Sequence, residues 1–224
     1  AHQAGKDYIL CEMYGVTTNG MGFRDFEHYF DHFASMGVNY RSVHGIFYSL
    51  HGRAKRMYPP QVNYYQPYWE KYNNVTDYCA RTSAFLSQGK PYSKVLVLHP
   101  IETAYCLYTG SEEPLDHDHA ACSEELSKLD YLYNRLVRTL HANHISYELG
   151  DMNTLSSSEY GNISGGKFVV GKMEYDTVVL PYIEVLNIKT AELLKKFISS
   201  GGKVIVTGKY PFLLDGFEYN VKNE

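Results

Sequence analysis

The stretch that decides the fold is DYILCEMYG, residues 7–15. A short apolar run from Tyr8 to Cys11 reaches the carboxylate of Glu12, and Gly15 follows as a turn residue. Polar residues are common where strands end, so one interpretation of Glu12 is a strand end with no further role. The other is chemical, because catalytic groups of parallel β/α folds lie at the C-terminal ends of strands. The surrounding sequence has to decide between them.

The next segment repeats the same arrangement. An apolar stripe at helical spacing predicts a helix from about Arg24 to Met36, and residues Asn39 to Val43 predict a second strand that reaches His44. Consecutive parallel strands place their C-terminal ends side by side, so Glu12 and His44 are predicted to face one pocket. A carboxylate there can act as a general base or a nucleophile, and a histidine can orient it or bind a sugar hydroxyl.

The rest of the chain alternates strands with helices, which implies parallel pairing. After a predicted helix from about Pro67 to Ser87, the predicted strands are Val95–Leu98, 144–148, 168–170, Thr177–Leu180 and Lys203–Thr207, with helices near 120–142 and 190–200. Apolar strands without alternation indicate a sheet covered on both faces. We therefore predict two domains, residues 1–90 and a flavodoxin-like, doubly wound domain at residues 91–224.

Composition excludes some partners and favours others. A net charge of −4 argues against a nucleic-acid partner. No apolar run approaches a bilayer span and no leader pattern is visible, so we expect a soluble protein without a membrane partner and leave the compartment open. The 22 tyrosines against one tryptophan crowd the first half. Such rings suit sugar ligands, with an aromatic-rich core as an equal alternative.

One cluster has the residue types of a metal site. It is the run Asp116, His117, Asp118 and His119. Spacing of i, i+2 in a loop is weak support for a metal, and acidic neighbours favour a solvated loop. We therefore predict no metal site, and no cofactor is evident from the residues.

Four motifs, taken in order, resemble the C-terminal part of the catalytic region in glycoside hydrolase family 106, the α-L-rhamnosidases. They are AHQAGKDYILCEMYG (1–15), GVNYRSVHGIFYS (37–49), YYQPYWEKY (64–72) and ARTSAFLSQGKPYSKVLVLHP (80–100). They are similar as well to family 42 β-galactosidases, in which a barrel precedes an amidotransferase-like domain. The resemblance covers nearly the whole chain, most specifically residues 1–99.

This resemblance implies a fold and a site. Residues 1–90 would be the last two β-α units of a TIM-type barrel, and residues 91–224 a flavodoxin-like (amidotransferase-like) domain. Glu12 falls on the catalytic carboxylate at the end of strand seven, the general base of an inverting hydrolysis. His44 falls on the histidine that ends strand eight, a substrate contact. Tyr14 and Trp69 would lie near the pocket mouth and bind substrate.

The family's general acid belongs to an earlier strand, which this chain does not contain. The resemblance therefore implies a C-terminal fragment of a glycoside hydrolase for α-L-rhamnoside-type substrates, inactive or nearly so alone. Calcium is implied for the full-length family enzyme, but no ligand set matches here. The alternative is a non-catalytic α/β module for carbohydrate binding or oligomerisation. A homo-oligomer fits either reading, because truncated barrel strands expose unpaired edges.

Overall fold

The protein is a mixed α/β chain built on parallel strands. The computed structural model describes residues 1–17, 20–46, 48–49, 51–53, 62–108 and 123–218. The chain divides into two compact units, Ala1–Pro91 and Tyr92–Glu224, called here the N-terminal and C-terminal units. Among the described residues, no helix combines the length and apolar character needed to cross a membrane.

The N-terminal unit is a two-stranded parallel sheet with helices on one face. Its elements are β1 (Leu10–Met13), α1 (Phe23–Ser35), β2 (Tyr40–Val43), a 3₁₀ turn (Trp69–Lys71) and α2 (Asn73–Leu86). Met13 joins Phe26 and Phe30 of α1 and Val75 of α2 in one buried cluster. Leu10 lies on the opposite face, and its side chain is 59% exposed. Among the described residues, only one face of this sheet is therefore covered.

The first helix forms because its aromatic residues recur at helical spacing. Phe26 and Phe30 are both fully buried, four residues apart on the face turned toward the core. The Asp25 carboxylate accepts a hydrogen bond from the Gly22 N–H at 2.7 Å, which closes the start of the helix. These two features fix where α1 begins and which face it buries.

The C-terminal unit is built around a four-stranded, all-parallel sheet. Its elements are β3 (Val95–Leu98), α3 (Ile101–Leu107), α4 (Glu124–Ala142), β4 (Tyr147–Gly150), α5 (Met152–Ser156), β5 (Gly161–Ser164), β6 (Lys167–Val170), β7 (Met173–Tyr175), β8 (Thr177–Pro181), β9 (Val185–Leu186), α6 (Ile188–Ser199), β10 (Lys203–Thr207), β11 (Leu213–Leu214) and β12 (Phe217–Glu218). The parallel sheet has the order β10-β8-β3-β4, and an antiparallel sheet has the order β5-β6-β7. Counted along the chain, the parallel strands therefore lie in the order 2-1-3-4.

The main core of this unit lies on one face of the parallel sheet. Leu96, Leu98, Val178 and Leu180 of the two central strands pack there. They meet side chains from α5, the antiparallel sheet and α6, which include Met152, Phe168 and Phe197. The opposite face is also buried at its centre, where Val97 of β3 and Val179 of β8 lie opposite each other. Both faces of the central strands are thus covered, as their continuous apolar sequence predicts.

Several predicted boundaries are wrong. β1 includes Glu12, so the carboxylate lies inside the strand rather than after it. The helix predicted from Pro67 begins only at Asn73, because the residues before it form tight turns with i to i+3 hydrogen bonds. α3 was not predicted, since a helix of seven residues is too short to show periodicity.

The strand β4 begins three residues later than expected because the preceding helix uses that segment for its end. His144 adopts a positive φ of 55°, and the Ile145 N–H donates to the Leu140 carbonyl at 3.0 Å. This is the hydrogen-bonding pattern of a helix C-terminus. The strand pairing then starts at Tyr147, opposite Val95.

Candidate active site

Glu12 and His44 lie on the uncovered face of the β1–β2 sheet. Glu12 is opposite Ser42 in the parallel register, and His44 comes two residues after Ser42. Side chains two residues apart on a strand share a face. The helices pack on the other face, where Met13 and Val43 point. The two polar side chains therefore project from the open face, at the C-terminal ends of the strands.

The backbone fixes the register that brings the two side chains together. The His44 N–H donates to the Met13 carbonyl at 2.8 Å, which extends the ladder one residue beyond β2. At the other end, Asn39 accepts from the Ile9 N–H and donates to the Asp7 carbonyl, each at 2.8 Å. Asn39 is buried, so this link is shielded from water. A slip of one residue would break both ends of the ladder.

The side chains of Glu12 and His44 are hydrogen-bonded to each other. His44 Nδ1 lies 2.5 Å from Glu12 Oε1. A carboxylate can only accept, so Nδ1 carries the shared hydrogen when Glu12 is ionised. The Glu12 side chain is 63% exposed and that of His44 37% exposed. Within the described part of the chain, Glu12 Oε2 and His44 Nε2 have no other hydrogen-bond partner, so both can meet a ligand from solvent.

Tyr14 lies on the helix side of the sheet. Its φ of 74° ends the strand and turns the ring away from the face of Glu12. The hydroxyl donates to the Phe26 carbonyl at 3.0 Å, and burial raises the pKa of Tyr14 to about 12 despite the nearby Arg41 guanidinium. A buried ring with a satisfied hydroxyl has no surface left for a sugar. This geometry does not support the predicted substrate contact.

Trp69 belongs to the 3₁₀ turn before α2. Its ring stacks on Tyr72 with centroids 6.5 Å apart and planes at 5°, and the indole stays partly exposed. No hydrogen bond or ring contact joins it to Glu12 or His44 in the described residues. Its place at a pocket mouth remains a prediction.

Arg41 is a residue that the sequence analysis did not single out. It sits on β2 opposite Cys11, and its guanidinium donates to the hydroxyls of Tyr14 at 3.4 Å and Tyr72 at 3.3 Å. It also lies 5.7 Å from the centroid of the Tyr14 ring. A charged residue in the middle of a predicted strand was the available signal. Arg41 thus holds the Tyr14 side chain on the helix side of the sheet, opposite the face that carries Glu12 and His44.

No metal centre is found among the described residues. No three His, Cys, Asp or Glu side chains in that part of the chain converge on a point that could hold an ion. The run Asp116–His119 lies outside the described residues, so its prediction is not tested. Calcium in the full-length enzyme, which the resemblance implies, therefore stays a prediction.

Comparison with known proteins gives a fold likeness without a family assignment. No known protein family matches the sequence, and no curated protein does. A rhamnosidase from Novosphingobium sp. PP1Y aligns with 94% of this chain at 16% identity and a TM-score of 0.62. A β-galactosidase from Bifidobacterium adolescentis aligns with 57% of this chain and 47% of its own, at 16% identity and a TM-score of 0.37, too weak for argument.

The rhamnosidase comparison decides the fold class. The chain has a glycoside hydrolase-like fold. It spans only 18% of the rhamnosidase chain, so the likeness concerns a segment of a much larger protein. At 16% identity the likeness concerns the fold alone, and activity and substrate need arguments of their own.

Proposed function

We propose that this chain is the C-terminal part of the catalytic region of a family 106, α-L-rhamnosidase-like glycoside hydrolase. Glu12 is its contribution to the catalytic pair, and His44 contacts the carbohydrate substrate. The observation that carries the proposal is the pair Glu12–His44, joined at 2.5 Å on the open face of a parallel sheet. The fold likeness over 94% of the chain supports it.

The open face of the β1–β2 sheet fits a barrel that is completed elsewhere. Parallel sheets are normally covered on both faces. Here Leu10 and Tyr40, directly opposite each other, are 59% and 51% exposed on the face that carries Glu12. Inside an eight-stranded barrel that face would be the packed interior, with the polar ends of the strands forming the active site. Residues 1–90 thus fit the last two β-α units of a TIM-type barrel.

The C-terminal unit fits a flavodoxin-like domain. Its parallel strands lie in the order 2-1-3-4, which corresponds to the first four strands of the flavodoxin order 2-1-3-4-5. The described residues contain no fifth parallel strand next to β10. We assign this unit a packing or assembly role.

The proposed chemistry is an inverting hydrolysis. The Glu12 carboxylate takes a proton from water while the water oxygen bonds to the anomeric carbon. The glycosidic C–O bond breaks, its electron pair goes to the leaving oxygen, and a carboxylic acid outside this chain protonates that oxygen. The hydrogen bond from His44 occupies Oε1 and leaves Oε2 to receive the proton. No step is routed through calcium, because no group of three His, Cys, Asp or Glu side chains in the described residues could hold one.

The missing acid predicts that the chain alone is nearly inactive. Proton transfer from a positioned group contributes about 10²–10⁴-fold to the rate. We expect no turnover of aryl glycosides, α-L-rhamnoside included, by the 224-residue chain. In the full gene product that contains it, Glu12→Gln should lower kcat by roughly 10²–10⁴-fold, whereas Glu174→Gln, a change at an exposed carboxylate of β7, should not.

Two results would contradict the proposal. Turnover by the 224-residue chain that Glu12→Gln abolishes would mean that a complete site exists within it, against the fragment assignment. Full activity of the long protein after Glu12→Gln would remove Glu12 from the catalytic pair.

A second candidate is a non-catalytic module that associates through the same open face. Its support is that Leu10 and Tyr40 would also be covered if two copies paired there. Light scattering and the activity assay together separate the two functions. A stable dimer of the 224-residue chain that Leu10→Glu converts to a monomer, with no effect of Glu12→Gln on glycoside cleavage by the full gene product, would favour the module. Loss of cleavage in Glu12→Gln would favour the fragment, whatever the oligomeric state.

A further inference from the structure

In the turn that follows β1, the glycine does not occupy either of the two positions with a left-handed backbone. Tyr14 and Val16 have positive φ angles of 74° and 59°. Gly15, between them, does not have a positive φ. Left-handed backbone is readily adopted by glycine and is costly for side-chain residues, most of all for β-branched ones. The backbone conformation therefore gives no reason for a glycine at position 15.

The reason is the space that the missing side chain leaves. A Cβ atom at residue 15 would lie 3.2 Å from Cγ and 3.4 Å from Nδ1 of His44. The imidazole thus packs directly on the Gly15 backbone. On its other side, Nδ1 is held by Glu12 Oε1 at 2.5 Å. A methyl group at residue 15 would crowd the ring that makes this hydrogen bond, and the ring would have to shift by a few tenths of an ångström.

The turn itself is anchored from the core, so it cannot easily move aside. The Tyr14 ring packs edge-on against Phe26 with centroids 4.9 Å apart, and its hydroxyl is bonded to the Phe26 carbonyl. Arg41 lies against the same ring. Residue 15 directly follows this anchored residue, and the atoms nearest to an added Cβ there belong to the His44 side chain.

We propose that Gly15 is a positioning residue, which seats the His44 imidazole so that Glu12 holds it in the Nδ1–H tautomer with Nε2 directed to the ligand. This deepens the proposed function and rests on it for its catalytic meaning. In that site the unprotonated Nε2 accepts a hydrogen bond from a substrate hydroxyl. The other tautomer would offer a donor there and would leave two acceptors facing each other at Nδ1 and Oε1.

The test is the nitrogen spectrum of the His44 ring in the 224-residue chain. Long-range ¹H–¹⁵N correlation at a pH of about 8, where imidazole rings are neutral, reports which nitrogen carries the hydrogen. Loss of one signal in His44→Gln assigns the ring among the ten histidines. We expect the Nδ1–H tautomer to dominate by about tenfold, the factor that one hydrogen bond provides. In Gly15→Ala the ratio should fall, because the shifted ring no longer meets Oε1 in the same geometry.

Gly89→Ala is the matched control, because a Cβ there would meet nothing within 4 Å. It should leave the His44 spectrum unchanged. If Gly15→Ala does not fold, Glu12→Ala tests the same tautomer by removing the acceptor, and the ratio should again fall. A dominant Nδ1–H tautomer that survives either variant overturns the proposal, as does a dominant Nε2–H tautomer in the wild type.

The outcome is independent of the glycosidase assay. A tautomer that responds to Gly15→Ala, in a protein whose full-length form cleaves no glycoside, would keep the positioning role and remove the proposed function. Glycoside cleavage that depends on Glu12, with a tautomer that ignores Gly15→Ala, would do the reverse.

Discussion

The two parallel sheets of this protein have similar strands and opposite surroundings. Leu96 in β3 is fully buried, whereas Leu10 in β1 is 59% exposed. Both are leucines in four-residue parallel strands. The difference lies in what covers them, since β3 is central in a sheet of four and β1 belongs to a sheet of two with one open face. The open face is also the one that carries Glu12 and His44, so exposure and candidate chemistry coincide.

The largest expected effect is the difference in stability between alanine substitutions of these two leucines. Leu96→Ala should lower the free energy of unfolding by about 2–5 kcal/mol, because it removes buried methyl groups and leaves a cavity. Leu10→Ala should change it by less than about 0.5 kcal/mol, as surface substitutions do. Urea titration followed by circular dichroism measures both.

A large loss of unfolding free energy in Leu10→Ala would show that Leu10 is covered in solution. The cover would come either from a second copy of the chain or from the same chain. Repeating the titration at tenfold lower protein concentration distinguishes the two, because a dimer loses stability on dilution. Equal stability at both concentrations would point to cover from within the same chain.

A substitution in the turn after β1 should have an intermediate effect on stability. Val16 is exposed with a φ of 59°, a conformation that a β-branched residue adopts at a cost. Asp215 has a similar φ of 49° in the C-terminal unit, but Asp tolerates it better. Val16→Asn should therefore raise the free energy of unfolding by about 1 kcal/mol. Thermal or urea unfolding gives the value.

Val16→Ala is the control for that change, since it removes the branch but keeps an L side chain without the local hydrogen bonding of Asn. It should stabilise less than Val16→Asn. A loss of stability in Val16→Asn would mean that the valine side chain makes contacts worth more than the strain.

The sequence predicted the helices and strands that have a clear pattern of apolar residues. The continuous apolar run at Val95–Leu98 predicted a strand buried on both faces, and the aromatic stripe predicted α1. Short elements such as α3 escaped, because seven residues do not establish a period. In the antiparallel sheet, β6 was predicted as a strand at residues 168–170, but β5 and β7 escaped, because they are short and carry no continuous apolar run.

The candidate site divides in the same way. The placement of Glu12 beside His44 followed from parallel strand pairing, a rule that needs only the strands. The burial of Tyr14 could not be predicted, because it depends on a positive φ that its residue type disfavours. The proposed role of Gly15 could not be predicted either, since it depends on a contact with His44, 29 residues later in the chain.

The smallest expected effect on stability concerns the ion pair Lys167–Asp176 in the C-terminal unit. Lys167 Nζ is hydrogen-bonded to Asp176 Oδ1 between β6 and the start of β8, and this bond lowers the pKa of Asp176. A carboxyl whose pKa is depressed by folding adds stability above its unfolded value near 3.9 and loses it as the pH falls through the folded value. Because both side chains are more than a third exposed, the gain is at most about 1 kcal/mol.

We therefore expect Asp176→Asn to lie slightly below the wild type in free energy of unfolding at neutral pH, with the gap closing in acid below about pH 4. Urea titrations at several pH values measure the gap. Glu12→Gln should lower the free energy of unfolding less than Asp176→Asn does, since the glutamine oxygen can still accept the hydrogen bond from His44 and the side chain is mostly exposed. A gap for Glu12→Gln as large as that for Asp176→Asn would make Glu12–His44 a structural pair like Lys167–Asp176, and would weaken the case that this face evolved to hold a substrate.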